Sequence, residues 1–136
     1  MNPATEEVVA LLPNSGPSEV EDAVRAAAGA FPAWAGLGHE TRAKYLLKIA
    51  DMIDSNLESL ALAESRDQGK PVSLARSLDI PRAALNFRKF AFAWQGLTET
   101  SNKLEAACVV NISSRQPLGV AGLITRFLNS LKVMAV

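Results

Sequence analysis

Leu104-Glu105-Ala106-Ala107-Cys108-Val109-Val110-Asn111-Ile112-Ser113-Ser114-Arg115-Gln116-Pro117-Leu118-Gly119-Val120-Ala121-Gly122-Leu123-Ile124 is the stretch in which the chain changes its period. Upstream, apolar residues recur every three or four positions. Here Leu104, Ala106, Cys108, Val110 and Ile112 alternate with Glu105, Asn111 and Ser113. That two-residue repeat predicts a strand with one covered face. Gln116-Pro117 interrupts it, and residues 118–124 follow as a nearly continuous apolar run containing two glycines. Such a run predicts a strand buried on both faces, as in a parallel sheet covered by helices.

Working back toward the start, the pattern is helical. Asp79 is a good N-cap residue, with Pro81 in the first turn where its missing N–H costs nothing. Ala84, Leu85, Phe87, Phe90, Ala91 and Trp94 give that helix a broad apolar face to about Gly96. A short helix over 72–77 precedes it. Gly69 is a C′ glycine for a helix carried by Leu57, Leu60, Ala61 and Glu64, and Pro71 discourages its continuation. Ser55-Asn56-Leu57-Glu58 has the form of a capping box and marks a new helix start or a kink. Residues 40–54 form a further helix, with Ala43, Leu46, Leu47, Ala50 and Ile53 on its buried face. Ser18-Glu19-Val20-Glu21 is another capping box, opening a helix whose stripe is Val20, Ala23, Val24, Ala27 and Phe31 and which Pro32 is expected to stop. Residues 8–12 read as a short strand closed by Pro13-Asn14-Ser15-Gly16-Pro17. The expectation is four or five helices between one early strand and two late ones.

The chain has 136 residues and no net formal charge. That is room for one ordinary domain, and the balance argues against a dedicated nucleic-acid binder. Hydrophobic residues make up 49%, enough for a core. One cysteine and one histidine exclude an intrachain disulfide and a Cys/His zinc cluster. Residues 1–70 carry 11 acids and 6 bases, and residues 71–136 carry 3 acids and 8 bases. Opposed halves suggest faces that meet each other or a partner, or simply two solvated helical faces. No uncharged run approaches the roughly 20 apolar residues of a spanning helix. The opening residues have neither a basic region nor an apolar signal core, so a cytoplasmic location is expected.

Few residues offer chemistry. A nucleophilic thiol needs a helix N-terminus, a histidine or a cation to hold it as thiolate. Cys108, read as mid-strand on an apolar face, fits a small buried hydrophobe better. His39 opens a helix with no second histidine and reads as a surface or capping residue. Asp51 and Asp54, three apart on one helix, lack further ligands and read as a solvated face. Gly119-Val120-Ala121-Gly122 is not the three-glycine dinucleotide fingerprint, and Gly69-Lys70 is followed by proline where a phosphate loop needs Ser or Thr. Arg82, Arg88 and Lys89 share a helix and could grip a phosphate; a stripe facing solvent or a subunit is more economical. No catalytic or metal-binding set emerges from the residues alone.

Five segments in order resemble the N-terminal portion of the NAD(P)-dependent aldehyde dehydrogenase superfamily. Asn2-Pro3-Ala4-Thr5-Glu6-Glu7-Val8-Val9-Ala10 looks like its first hairpin. Residues 20–34, ending Ala30-Phe31-Pro32-Ala33-Trp34, resemble its first helix, and residues 42–53 its second. Glu64-Ser65-Arg66-Asp67-Gln68-Gly69-Lys70-Pro71 resembles the loop ending the third. Residues 116–124 look like the first strand of its nucleotide-binding domain. Asp79-Ile80-Pro81-Arg82 and Asn86-Phe87-Arg88-Lys89-Phe90-Ala91, together with Pro13-Asn14-Ser15-Gly16 and residues 63–70, resemble the branch that oxidises 2-aminomuconic or 2-hydroxymuconic semialdehydes in tryptophan and aromatic-ring degradation.

The resemblance implies an α/β fold, of which this chain is a mainly helical N-terminal fragment with a short early strand and two late ones. Residues 1–103 would be the helical part of the nucleotide-binding domain, 104–115 a strand of the oligomerisation arm, and 116–136 the start of the nucleotide-binding sheet with a divergent end. It further implies NAD as cofactor, a small aldehyde as substrate and a homo-oligomer, with neither nucleic acid nor membrane as partner. By position, Ile124, Thr125 and Phe127 would border the cofactor. The family's chemistry is thiohemiacetal formation by a cysteine, hydride transfer to NAD and glutamate-assisted hydrolysis, with an asparagine of a Pro-Trp-Asn motif holding the oxyanion. Arg126, Phe127 and Leu128 stand where that motif would be, and Cys108 does not match the nucleophile's motif. The chain is therefore expected to be inactive alone and, with its central strand lacking neighbours, prone to aggregate. The alternative is a non-catalytic helical module that associates with full-length dehydrogenase subunits.

Overall fold

The computed structural model describes residues 1–93, 99–104 and 108–124. Among them, α1 (Pro17–Ala35), α2 (His39–Ser55), α3 (Leu57–Gln68), α4 (Val72–Leu74) and α5 (Ile80–Ala93) precede a hairpin of β1 (Thr100–Leu104) and β2 (Val109–Ser113). The fold is mainly helical with one two-stranded sheet.

α1 begins earlier than its Ser18 capping box predicts. Pro17 suits the first helical position, which makes Gly16 the cap and Glu19 the residue that reaches back. The Glu19 carboxylate accepts from the Gly16 N–H at 2.8 Å and from the Ser18 hydroxyl at 3.0 Å. Pro32 does not stop the helix, which runs on to Ala35. With no residue of α1 buried, the carbonyl that proline leaves without its helical donor can turn to water. Trp34 meets Tyr45 of α2 with ring centroids 5.6 Å apart.

The break between α2 and α3 falls where expected, by a different device. Ser55 and Asn56 donate their side chains backward, to the Asp51 and Met52 carbonyls at 2.8 Å each. They finish α2 rather than cap α3. Gly69 ends α3 in the left-handed region at φ 70°, as a C′ glycine should.

Asp79 is not an N-cap. The chain is helical without interruption from α4 through a π-turn (Ala75–Asp79) into α5. The wider π-turn gives room for the Pro81 ring, which in a regular helix would press on the carbonyl four residues back. Asp79 is thereby buried inside a bent helix.

α2 lies across α5, with α3 and the π-turn alongside. Ala50, Ile53, Ala61, Ala75, Ile80, Ala84 and Phe87 form the core, and Leu46, Leu57, Leu60 and Val72 lean on it. Four of these are alanines, which lets helix axes approach closely. Leu85 and Phe90, expected inside, are exposed, as are Val20 and Val24 of α1.

The alternating segment yields a strand only in its second half, β2, which pairs with a strand ending where the alternation begins, β1. β1 pairs antiparallel with β2, Thr100 opposite Ser113 and Leu104 opposite Val109. Cys108, expected buried mid-strand, is exposed at the reversal with φ 51°. No Gly or Pro stands between Leu104 and Val109 to announce a change of direction, and Thr100–Leu104 carries no alternation of its own. Residues 8–12 and 118–124, expected as strands, make no ladder among the described residues and are exposed. A strand is defined by a neighbour to bond with, which periodicity does not supply. The expected end of α5 near Trp94 and Gly96 lies outside the described residues.

Candidate functional site

The densest chemistry is an ion cluster at the α3–α4 bend. Gly69 turns the chain so that Lys70 points back between α3 and the π-turn. Its ammonium donates to Glu64 Oε1 at 2.7 Å and to Asp79 Oδ2 at 2.5 Å, and these side chains are only 14%, 19% and 8% exposed. Gln68 Nε2 donates to the same Glu64 oxygen at 2.9 Å, and the Ser65 hydroxyl to the Lys70 carbonyl at 2.6 Å. Burial opposes the lysine's charge, but its hydrogen bonds to Asp79 and Glu64 outweigh that and hold its pKa above the ordinary value. A lysine kept protonated by two carboxylates is neither base nor nucleophile; it ties a bend together. Sequence reading missed this cluster, because Asp79 before Pro81 is fully accounted for as a helix start and nothing local ties it to Lys70 or Glu64.

The opposed halves meet each other. Arg88 of α5 donates to Asp51 at 2.8 Å and Asp54 at 2.7 Å on α2, and Arg76 to Glu58 on α3 at 2.7 Å. Asp51 and Asp54 are thus ion-paired across helices rather than simply solvated, and Arg88 is engaged; Arg82 and Lys89 of the supposed phosphate grip are exposed. His39 opens α2, exposed, with Arg42 Nη2 2.7 Å from its Nδ1. No group of three or more His, Cys, Asp or Glu able to hold a metal occurs among the described residues.

Of the residues expected to border the cofactor, Ile124 is fully exposed at the end of an unpaired segment, and Thr125 and Phe127 lie outside the described residues. An apolar groove of about 430 Å³ runs between α1 and this segment, lined by Val20, Ala23, Val24, Ala27, Val120 and Ala121 among others. It is a seam between a helix and an unladdered strand segment, without the backbone N–H cradle a pyrophosphate needs. The described residues do not by themselves fit a nicotinamide dinucleotide.

The aldehyde dehydrogenase family model matches residues 1–135. The chain belongs to the aldehyde dehydrogenase family. It is 43% identical over 124 residues to human 2-aminomuconic semialdehyde dehydrogenase, covering 91% of this chain and 26% of that protein. It is 35% identical over 129 residues to 2-hydroxymuconic semialdehyde dehydrogenase of Pseudomonas sp. (strain CF600), covering 92% and 26%. Among solved structures it resembles the glyceraldehyde-3-phosphate dehydrogenase GapN of Methanocaldococcus jannaschii complexed with NADP, with a TM-score of 0.89 at 26% identity, covering 99% of this chain and 29% of that one. The chain thus spans about a quarter of the length of the curated relatives it matches. Membership makes the protein part of an oxidoreductase family, one solved member of which carries a nicotinamide dinucleotide. No helix among the described residues is long and apolar enough to cross a membrane.

Proposed function

We propose that these residues are the N-terminal part of an NAD-dependent aldehyde dehydrogenase that oxidises a muconic-type semialdehyde to its carboxylate, and that the 136 residues alone do not turn over. The observation that carries this is the groove between α1 and residues 118–124: two apolar faces side by side, uncovered, in a chain matched along its length by the family. Residues 1–103 would form the helical part of the nucleotide-binding domain, 104–115 would lie in the oligomerisation arm, and 116–136 would enter the nucleotide-binding sheet. Ile124, Thr125 and Phe127 would then border the cofactor. The relatives' semialdehyde substrates support the substrate class; the work would then belong to tryptophan or aromatic-ring degradation, carried out in the cytoplasm by a homo-oligomer.

The test is reduced-nicotinamide absorbance with purified chain, 2-aminomuconic and 2-hydroxymuconic semialdehydes, and NAD or NADP in parallel. No aldehyde-dependent signal is expected from the chain alone, because Cys108 is exposed at a hairpin reversal and, among the described residues, no helix begins near it in sequence to activate it. Turnover abolished by Cys108→Ser would overturn the proposal. A second reading, a non-catalytic module binding intact dehydrogenase subunits, is favoured by the hairpin, all ten of whose strand residues are exposed. Co-purification with an intact subunit, lost when Val110 and Ile112 are replaced by lysine, would support it.

A further inference from the structure

The first residues form a closed turn. The Asn2 N–H donates to the Glu7 carbonyl at 2.7 Å, and the Glu6 N–H to the Asn2 carbonyl at 2.8 Å. Asn2 Oδ1 accepts from the Ala4 N–H at 2.9 Å. Glu6 is held at φ 60°, a conformation unfavourable for a side chain with a Cβ. Such backbone persists only where its surroundings over-determine it. The surroundings here are the end of α3. A Cβ added to Gly69 would stand 3.2 Å from Pro3 Cγ, 3.3 Å from Pro3 Cβ and 3.3 Å from the Ala4 nitrogen. Beside that contact the turn stands away, leaving a crevice of about 280 Å³ lined by Asn2, Glu7, Val8, Val9 and Arg66. Residues 8–15 then cross to α1 without regular structure, almost wholly exposed.

We propose that the 2–7 turn is a releasable strap, seated through Pro3 on the bare backbone of Gly69. The strap docks one residue from Lys70, so it leans on the same bend that Glu64, Ser65 and Asp79 tie. Its narrow contact and the strain held at Glu6 favour its release from the end of α3. Opening frees residues 1–16, while α1, which has no buried residue, keeps the Trp34–Tyr45 contact with α2. Gly69 on this account serves two needs, a left-handed φ and a close approach, and the two are separable. Asparagine tolerates the φ but brings a Cβ.

The experiment is limited proteolysis of the whole chain with a glutamate-specific protease, following cleavage after Glu6 and Glu7, with far-UV circular dichroism to confirm that the helices persist. Cleavage that tracks the open population should rise about tenfold in Gly69→Ala and nearly as much in Gly69→Asn, since overpacking is the shared defect. Pro3→Gly, which leaves Gly69 intact, should raise it as well, and Pro3→Gly with Gly69→Asn should be cleaved no faster than either alone. The proposal is overturned if Gly69→Asn and Pro3→Gly are cleaved at the wild-type rate. It is equally overturned if the wild type is already cleaved as fast as a free peptide of residues 1–16.

Discussion

Replacing Lys70 with methionine keeps the stem and removes the ammonium from between two carboxylates. Glu64 and Asp79 oxygens lie 2.7 and 2.5 Å from that nitrogen, so they are at most about 5 Å apart, and at an effective dielectric near 20 their mutual repulsion is about 3 kcal/mol. Losing one member of a fully buried pair costs about 3–5 kcal/mol. This cluster keeps some contact with water, so about 2–3 kcal/mol is expected, a fall in midpoint of roughly 6–12 °C for a chain of this size. The assay is thermal and urea unfolding followed at the helical circular dichroism band, at pH 8 and pH 5. Two carboxylates left facing each other bind a proton more readily when folded than when unfolded, so the variant's deficit should shrink as pH falls. Glu64→Gln added to Lys70→Met should recover much of the loss. In the wild type the sign is opposite in origin. Lys70 is held above its ordinary pKa, so its contribution is full below the unfolded value near 10.4 and is lost as pH rises through the folded one. The reasoning is refuted if Lys70→Met costs no more than Arg76→Met, which breaks an exposed pair, or if its deficit does not change with pH.

Glu19 is held below the usual carboxylate range by backbone hydrogen bonds at its own N–H and at Gly16, and by the Ser18 hydroxyl. Its help to α1 is therefore present above the unfolded value near 4.5 and is lost as pH falls through the lower folded one. The protection factors of the amides at residues 20–22, taken against the intrinsic rate at each pH, should fall in acid, and Glu19→Gln should show the lower protection already at neutral pH. Residues 118–124 leave Leu118, Leu123 and Ile124 exposed, so the chain should bind an apolar dye and sediment as aggregate. Leu123→Lys should reduce both without changing helical content; a soluble monomer with a sharp melt and no dye binding would contradict this.

Helices were legible because their signal is local. Ala43, Ala50 and Ile53 are buried at the predicted spacing on α2, as are Ala84, Phe87 and Ala91 on α5, and Gly69 and the Ser55–Asn56 break stand where turn chemistry puts them. What the sequence left ambiguous depends on partners distant along the chain. Alternation at 104–112 carries no mark of a reversal, so Cys108 moved from a buried strand to an exposed turn. Residues 8–12 and 118–124 have strand composition, and composition cannot provide the ladder. Asp79 shows how two local signals mislead when they agree. An acid followed two residues later by proline is a sound helix start, yet the same pair is accommodated in mid-helix once a π-turn widens the backbone and Lys70 takes the acid. Ile124, expected to border a cofactor, is exposed at the end of a segment that makes no ladder among the described residues.

The opposed charges of the two halves explain how a core this poor in bulky side chains can have one register. Alanines at 50, 61, 75 and 84 allow close helix approach but interlock weakly, so sliding α5 along α2 by one turn would forfeit little apolar contact. It would, however, carry Arg88 away from both Asp51 and Asp54 and Arg76 away from Glu58. Exposed pairs of this kind add little to stability. Their arrangement on α2, α3, the π-turn and α5 nevertheless penalises the displaced registers together, because each shift breaks all of them and leaves the acids of the first half without their cations. The buried Lys70 cluster adds a stricter demand, since any register that strands its ammonium or either carboxylate leaves an uncompensated charge with limited access to water. Specificity in this layer is thus carried by charge placement and compactness by small residues, a division that leaves the apolar faces of α1 and residues 118–124 outside the core.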